Sequence, residues 1–154
     1  MKSSQAAKII SKVDTVIEDI NSFLSITELE KSYLAGFLVV YICGIYEEVI
    51  ETIINDKVNK SNDYEISNYI KESVSNTFRN PDMQNIKKLL GKFKDGWKSE
   101  IAKLPENAQI AVDNIVNIKN SLAHGNNVTV TLRDVIQYYN DSLVVINKID
   151  DMLL

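Results

Sequence analysis

The stretch Ile118-Lys119-Asn120-Ser121-Leu122-Ala123-His124-Gly125 gathers in eight residues the groups best suited to chemistry in this chain. His124 is the only histidine among 154 residues, and it stands at the end of a helical pattern, just before a glycine. A histidine can take a proton from a hydroxyl near pH 7, because the free side chain titrates at about 6.5. Lys119, five residues earlier, can neutralise charge building on a phosphate as a point charge on a flexible stem. Asn120 lies four residues before His124 and projects from the same side of the helix end. Lys119 is roughly 140° from His124 around an ideal helix, so its stem or a frayed last turn must bring them together. The spacing equally fits a plainer role, in which His124 caps the helix by bonding its last carbonyls.

Two further groups bear on that window. From Lys87 to Lys103 six lysines stand against Asp95 and Glu100, a local charge of +4 that leaves −8 on the rest of the chain. Phe93 and Trp97 are interleaved with those lysines. Such a face can track a phosphate backbone and stack on unpaired bases, with Lys87, Lys88, Lys92, Lys94 and Lys98 as the contacts. It can equally be an amphipathic helix with its aromatics in the core and its lysines in water. Glu47 and Glu48 end a long apolar run, and either can enter a cleft beside His124; the alternative is that the helix there meets solvent. Tyr46, Tyr138 and Tyr139 read as packing residues with their hydroxyls at the surface. Cys43 sits in apolar sequence without nearby cations and is expected to be inert.

The elements that must position these residues are helices. Only five glycines and two prolines interrupt the chain, which favours long helices over a many-stranded sheet. Ala7, Ile10, Val13, Ile17 and Ile20, then Phe23 or Leu24, give an amphipathic helix over about Ser4–Leu24. Thr27-Glu28-Leu29-Glu30 is a capping box that opens the longest helix, about Glu28–Val58, apolar on nearly all sides from Tyr33 to Tyr46. That helix is expected at the centre of a bundle or in a subunit interface. Gly36 and Gly44 on it predict close approach by a neighbouring helix. After the polar break Lys60-Ser61-Asn62-Asp63 a third helix, capped by Asp63 or a neighbour, runs to about Asn80, where Pro81 stops it. Residues 81–104 form one or two shorter helices, with Gly91 and Gly96 as weak points. Glu106–Ala123 is helical, with Ile110, Val112 or Ile115, and Ile118 or Leu122 turned inward. Gly125-Asn126-Asn127 makes a turn, and Val128-Thr129-Val130 is too short to make a sheet. Thr131 with Asp134 caps a last helix that carries Val135, Tyr138, Leu143, Ile146, Ile149 and Leu153 inward. The expectation is one all-α domain over residues 1–154, a bundle of about five or six helices around a long central apolar one.

Composition limits the function classes. A chain of this length can bury a full core, and 45% hydrophobic with 25% charged residues is ordinary for a soluble globular protein. A net charge of −4 argues against a generically basic nucleic-acid binder. The longest uncharged run, Ser32 to Tyr46, is fifteen residues, short of the about 20 that a membrane span requires. The N-terminus has no apolar secretion segment. The lone Cys43 excludes an internal disulfide framework and a Cys-rich zinc site, and a reducing, cytoplasmic setting is expected.

The window Lys119-Asn120-Ser121-Leu122-Ala123-His124-Gly125 resembles the motif of the HEPN superfamily, in which a cation, a polar residue and then a histidine close the penultimate helix. Tyr46-Glu47-Glu48 at the end of the apolar run and the capped last helix also fit, and the nearest subgroup is that of RiboL-PSP-like HEPN domains of defence and stress modules. The resemblance implies a homodimeric, metal-independent and cofactor-free endoribonuclease with RNA as substrate, and with an antitoxin or defence protein as a further partner. It implies that His124 serves the ribose 2′-hydroxyl, that Lys119 stabilises the phosphate, and that Asn120 orients one or the other, with Ser121 as a possible accessory. The family's cation is arginine and here it is lysine, which cannot grip two phosphate oxygens at once. A non-cleaving module of the same fold, binding RNA or a partner protein, is therefore the second expectation, and a purely structural dimerisation bundle the third.

Overall fold

The computed structural model describes every residue except Asn62 and Asn127. Seven helices occur among the described residues: α1 (Ser4–Ser22), α2 (Glu28–Val58), α3 (Tyr64–Thr77), α4 (Met83–Phe93), α5 (Asp95–Ile101), α6 (Glu106–Ala123) and α7 (Leu132–Leu153). The all-α class is as expected. The number is slightly above the expected five or six, with residues 83–101 folding as two short helices, the larger of the two numbers expected for that stretch.

The starts follow their caps. Thr27 and Thr131 each accept the N–H of the third helical residue, while Glu30 and Asp134 reach back to the threonine N–H. Asp63 and Asp82 cap α3 and α4 in the simpler one-way form. Helix α3 ends at Thr77, three residues before the expected limit. Phe78 is extended and Asn80 has φ 53°, in the left-handed region, so the helix has already ended when the chain reaches Pro81. The α4–α5 break falls at Lys94, extended at φ −161°, and not at either glycine. Gly91 lies inside α4 facing Lys98 of α5, where an added Cβ would make only an ordinary van der Waals contact at 3.9 Å. The expected turn and polar break each include one residue, Asn127 and Asn62, outside the described set.

Helix α2 is the axis of the bundle and packs against α1, α3, α6 and α7. Its inward residues, among them Leu38, Val39, Ile42, Tyr46, Ile50 and Ile53, are wholly buried. Gly36 receives the Leu122 side chain of α6, 3.5 Å from where a Cβ would be. Gly44 faces open space, contrary to expectation: among the described residues nothing lies within 4 Å of where its Cβ would be. Two further expectations are corrected by the packing. Ile110 is 48% exposed, because α6 turns Ala108, Val112 and Ile115 inward and leaves Ile110 on the opposite face. Tyr46 and Tyr139 are buried, not surface-tipped: the Tyr46 hydroxyl pairs with Ser142 Oγ, and Tyr139 donates to Asp14 at 3.0 Å. Burial raises both phenols above their ordinary range. Phe93 and Trp97 are half-buried against the core with ring centroids 6.4 Å apart. No helix among the described residues is long and apolar enough to cross a membrane.

Candidate functional site

The inward face of α6 runs through Ala108, Val112 and Ile115, and the next positions on that stripe are Lys119 and Leu122. Lys119 is thus a cation placed on an apolar face. Its stem packs inward while the ammonium reaches for polar partners, the usual solution for a half-buried lysine. It finds two amide oxygens, donating to Asn80 Oδ1 and, at 3.0 Å, to Asn120 Oδ1. No carboxylate lies within 4.0 Å of it among the described residues. The charge is held in place without being neutralised.

Asn80 is the residue that sequence reasoning missed. Its left-handed backbone is secured on every side: the N–H donates to Glu47 Oε1 at 2.9 Å, and the carbonyl accepts Asp82 N–H at 2.8 Å and Asn85 Nδ2 at 2.9 Å. Pro81 beside it is buried. Asparagine tolerates this conformation better than other side chains. The available signal was the dipeptide Asn80-Pro81, a turn former, which reads as a helix stop and not as a site. Glu47 therefore enters the cluster by way of Asn80. Glu48 is engaged elsewhere, paired with Lys12 of α1 at 3.4 Å.

Cys43, one turn before Glu47, lies beneath this cluster. Burial is the main reason its thiol is pushed up to about 11; the Lys119 charge opposes the rise, and Glu47 and Asp82 add to it. It is an inert core residue, as expected.

His124 is the C-cap residue of α6, and its N–H bonds the Asn120 carbonyl at 3.1 Å. Gly125 follows with φ 73°, the left-handed position that lets the chain leave the helix. The imidazole is exposed and makes no hydrogen bond among the described residues, so it does not cap the helix through its ring. The structure brings Lys119 and Asn120 together and adds Asn80 and Glu47. The His124 imidazole makes no hydrogen bond to any of them among the described residues, and its link to the cluster is the backbone bond to Asn120. Ser121 is half-buried, and its carbonyl accepts the Asn126 N–H at 3.0 Å. Among the described residues no three His, Cys, Asp or Glu side chains are grouped to hold a metal ion.

The lysine face divides in two. Lys87, Lys88, Lys92 and Lys98 line an open cleft of about 720 Å³ between α4 and α5, together with Asp95 and Asp113. Lys88 and Lys92 also line a smaller cleft toward the end of α3. Lys87 is bonded to Gln109 Oε1 at 2.9 Å, and Lys94 lines neither cleft.

An all-α bundle that ends its penultimate helix with a cation, an asparagine and a histidine has the form of a HEPN domain. A family model described as RiboL-PSP-HEPN matches residues 3–154, nearly the whole chain, and the chain belongs to that family. No curated protein and no solved structure matches it.

Proposed function

We propose that this HEPN domain is a metal-independent endoribonuclease, working in the cytoplasm as a homodimer within a defence or toxin–antitoxin module. The observation that carries the proposal is that one helix end holds an ammonium with no carboxylate within 4.0 Å and an exposed imidazole with no hydrogen bond, both among the described residues. Lys119 is fixed by two amide oxygens, and His124 is exposed a little over a turn later. In the reaction His124 removes the ribose 2′-hydroxyl proton, and that oxygen attacks the adjacent phosphorus. The bond from phosphorus to the 5′-oxygen breaks, and the leaving oxygen takes a proton from a second donor, for which the other protomer's imidazole is available. The products are a 2′,3′-cyclic phosphate and a 5′-hydroxyl. Lys119 stabilises charge on the phosphoryl oxygens, where a positioned cation acts most strongly.

The scheme includes dimerisation because within one protomer Lys119 lies on the inward face of α6 while His124 is exposed. The exposed side of α2 offers the surface. Leu29, Tyr33, Phe37 and Val40 are each at least half exposed, and a groove of about 500 Å³ between Tyr33, Phe37, Leu122 and Val128 extends that surface to the end of α6. A second copy seated there brings two His124 side chains to one region.

A second reading, a non-cleaving module that binds RNA or a partner protein, is favoured by one detail. Two of the three Lys119 donors are already bonded to amides, leaving less for a phosphate than an arginine fork provides. The test is cutting of single-stranded RNA in EDTA. Wild type should leave cyclic-phosphate ends, His124→Ala should lose about 10²–10⁴-fold in rate, and Lys119→Arg should cut faster than wild type. No cutting by wild type or by Lys119→Arg would leave the binding module.

A further inference from the structure

The turn that carries Asn80 presents a second cation on its other side. Arg79 lines the smaller cleft, about 220 Å³, with Lys88 and Lys92 of α4, Asn85, and Thr77 at the end of α3. Three cations converge there with no acidic residue in the lining, and none has a carboxylate within 4.0 Å among the described residues. Like charges gathered without counter-charge repel one another, and an anion entering between them removes that cost. Asp82, the carboxylate of this turn, is committed to α4, accepting Asn85 N–H at 2.7 Å and Asn85 Nδ2 at 3.0 Å. The larger cleft differs, since Asp95 and Asp113 stand in it opposite the lysines.

The backbone under Arg79 is held firmly. Asn85 Nδ2 reaches the Arg79 and Asn80 carbonyls, and Lys119 grips the Asn80 side chain. One Arg79 donor bonds the Phe78 carbonyl at 2.7 Å, and four of the five guanidinium N–H groups remain. The volume is below that of ordinary small-molecule pockets, about 300–1,000 Å³, and so suits a group on a longer ligand. A guanidinium beside two ammoniums suits a phosphate.

We propose that Arg79, Lys88 and Lys92 form a phosphate subsite for the backbone of single-stranded RNA, next to the Lys119–Asn120–His124 motif and joined to it through Asn80. This rests on the reading of the protein as an RNA-acting domain. Arg79 supplies the fork that Lys119 lacks, gripping a linkage that is not cut. A strand anchored there runs over the Asn80 turn toward the end of α6.

The test uses full-length protein carrying His124→Ala, so that RNA stays intact, and measures affinity for a labelled single-stranded oligoribonucleotide over a range of salt. Arg79→Gln should weaken binding about ten-fold and make the slope of log K against log salt shallower by about 0.7, the value of one single-strand phosphate contact. Lys88→Gln with Lys92→Gln should do the same or more. Lys57→Gln with Lys60→Gln, which removes two exposed charges at the far end of α2, should leave the slope unchanged. Wild-type affinity and slope in both subsite variants would overturn the proposal, as would equal weakening by the α2 pair. Arg79-dependent binding of inorganic phosphate without any of RNA would overturn it too, making the ligand a free anion. The two readings separate cleanly. Arg79-dependent RNA binding by a protein that never cuts keeps the subsite and removes the nuclease, whereas cutting that Arg79→Gln leaves untouched does the reverse.

Discussion

At the scale of single residues the site is built from side chains in unusual positions. Lys119 occupies an inward place on α6 where Leu or Ile would ordinarily stand, and Asn80 occupies a left-handed place ordinarily given to glycine. The second departure supports the first, because Asn80 Oδ1 is one of the two acceptors that hold the ammonium. Asn80→Gly removes the acceptor but keeps the turn relaxed, while Asn80→Ala removes the acceptor and also forces a Cβ into the left-handed region. The alanine variant should be less stable than the glycine variant by about 1 kcal/mol in urea unfolding. The reverse order would mean that the turn is not strained. In a cleaving enzyme both variants should lose rate at saturating RNA, since both release Lys119.

At the scale of elements, α2 and α7 are fastened by matching capping boxes. The Thr27 backbone N–H, then its hydroxyl, holds the Glu30 carboxyl below the usual carboxylate range; for Asp134 the Thr131 hydroxyl acts first and the N–H second. A carboxyl lowered by folding adds stability that is present above its unfolded pKa. That stability is lost as pH falls through the folded value, so acid weakening should set in below about pH 4. Thr131→Ala should lower stability by about 1 kcal/mol at neutral pH and flatten the acid limb of a plot of Tm against pH. An unchanged acid limb would show that the box at α7 contributes nothing to it.

At the scale of the molecule, polar ties join helices far apart in sequence. Asp150 accepts the backbone N–H groups of Lys2 and Ser3, and Ser3 Oγ donates to Asp56, so α1, α2 and α7 meet at one buried point. The opposite side of α2 is left uncovered. The exposed apolar residues Leu29, Tyr33, Phe37 and Val40 on that side are the surface proposed for a second copy. In a dimer built on this face Phe37→Glu should give a monomer in sedimentation while leaving helical content unchanged, because Phe37 is 53% exposed and its ring stacks on Tyr41 at the surface of α2. A monomeric wild type would remove the dimer from the proposed mechanism.

The sequence by itself determined the helices and most of their limits, because these depend on local matters: apolar periodicity, threonine and aspartate caps, and proline stops. It also determined the motif, since Lys119, Asn120 and His124 are neighbours on one helix and in one window of chain. It could not show which positions on α2 a neighbouring helix approaches, and so it expected a partner for Gly44 that is absent among the described residues. Nor could it show that Ile110 faces outward or that the tyrosine hydroxyls are buried, since an amphipathic pattern does not say what lies opposite. Above all, only the tertiary structure placed Asn80 and Glu47 beside Lys119, and Arg79 beside Lys88 and Lys92. Asn80 is 39 residues from Lys119 along the chain, and no local rule acts over that distance. The packing of α2, α4 and α6 around a buried proline turn brought them together.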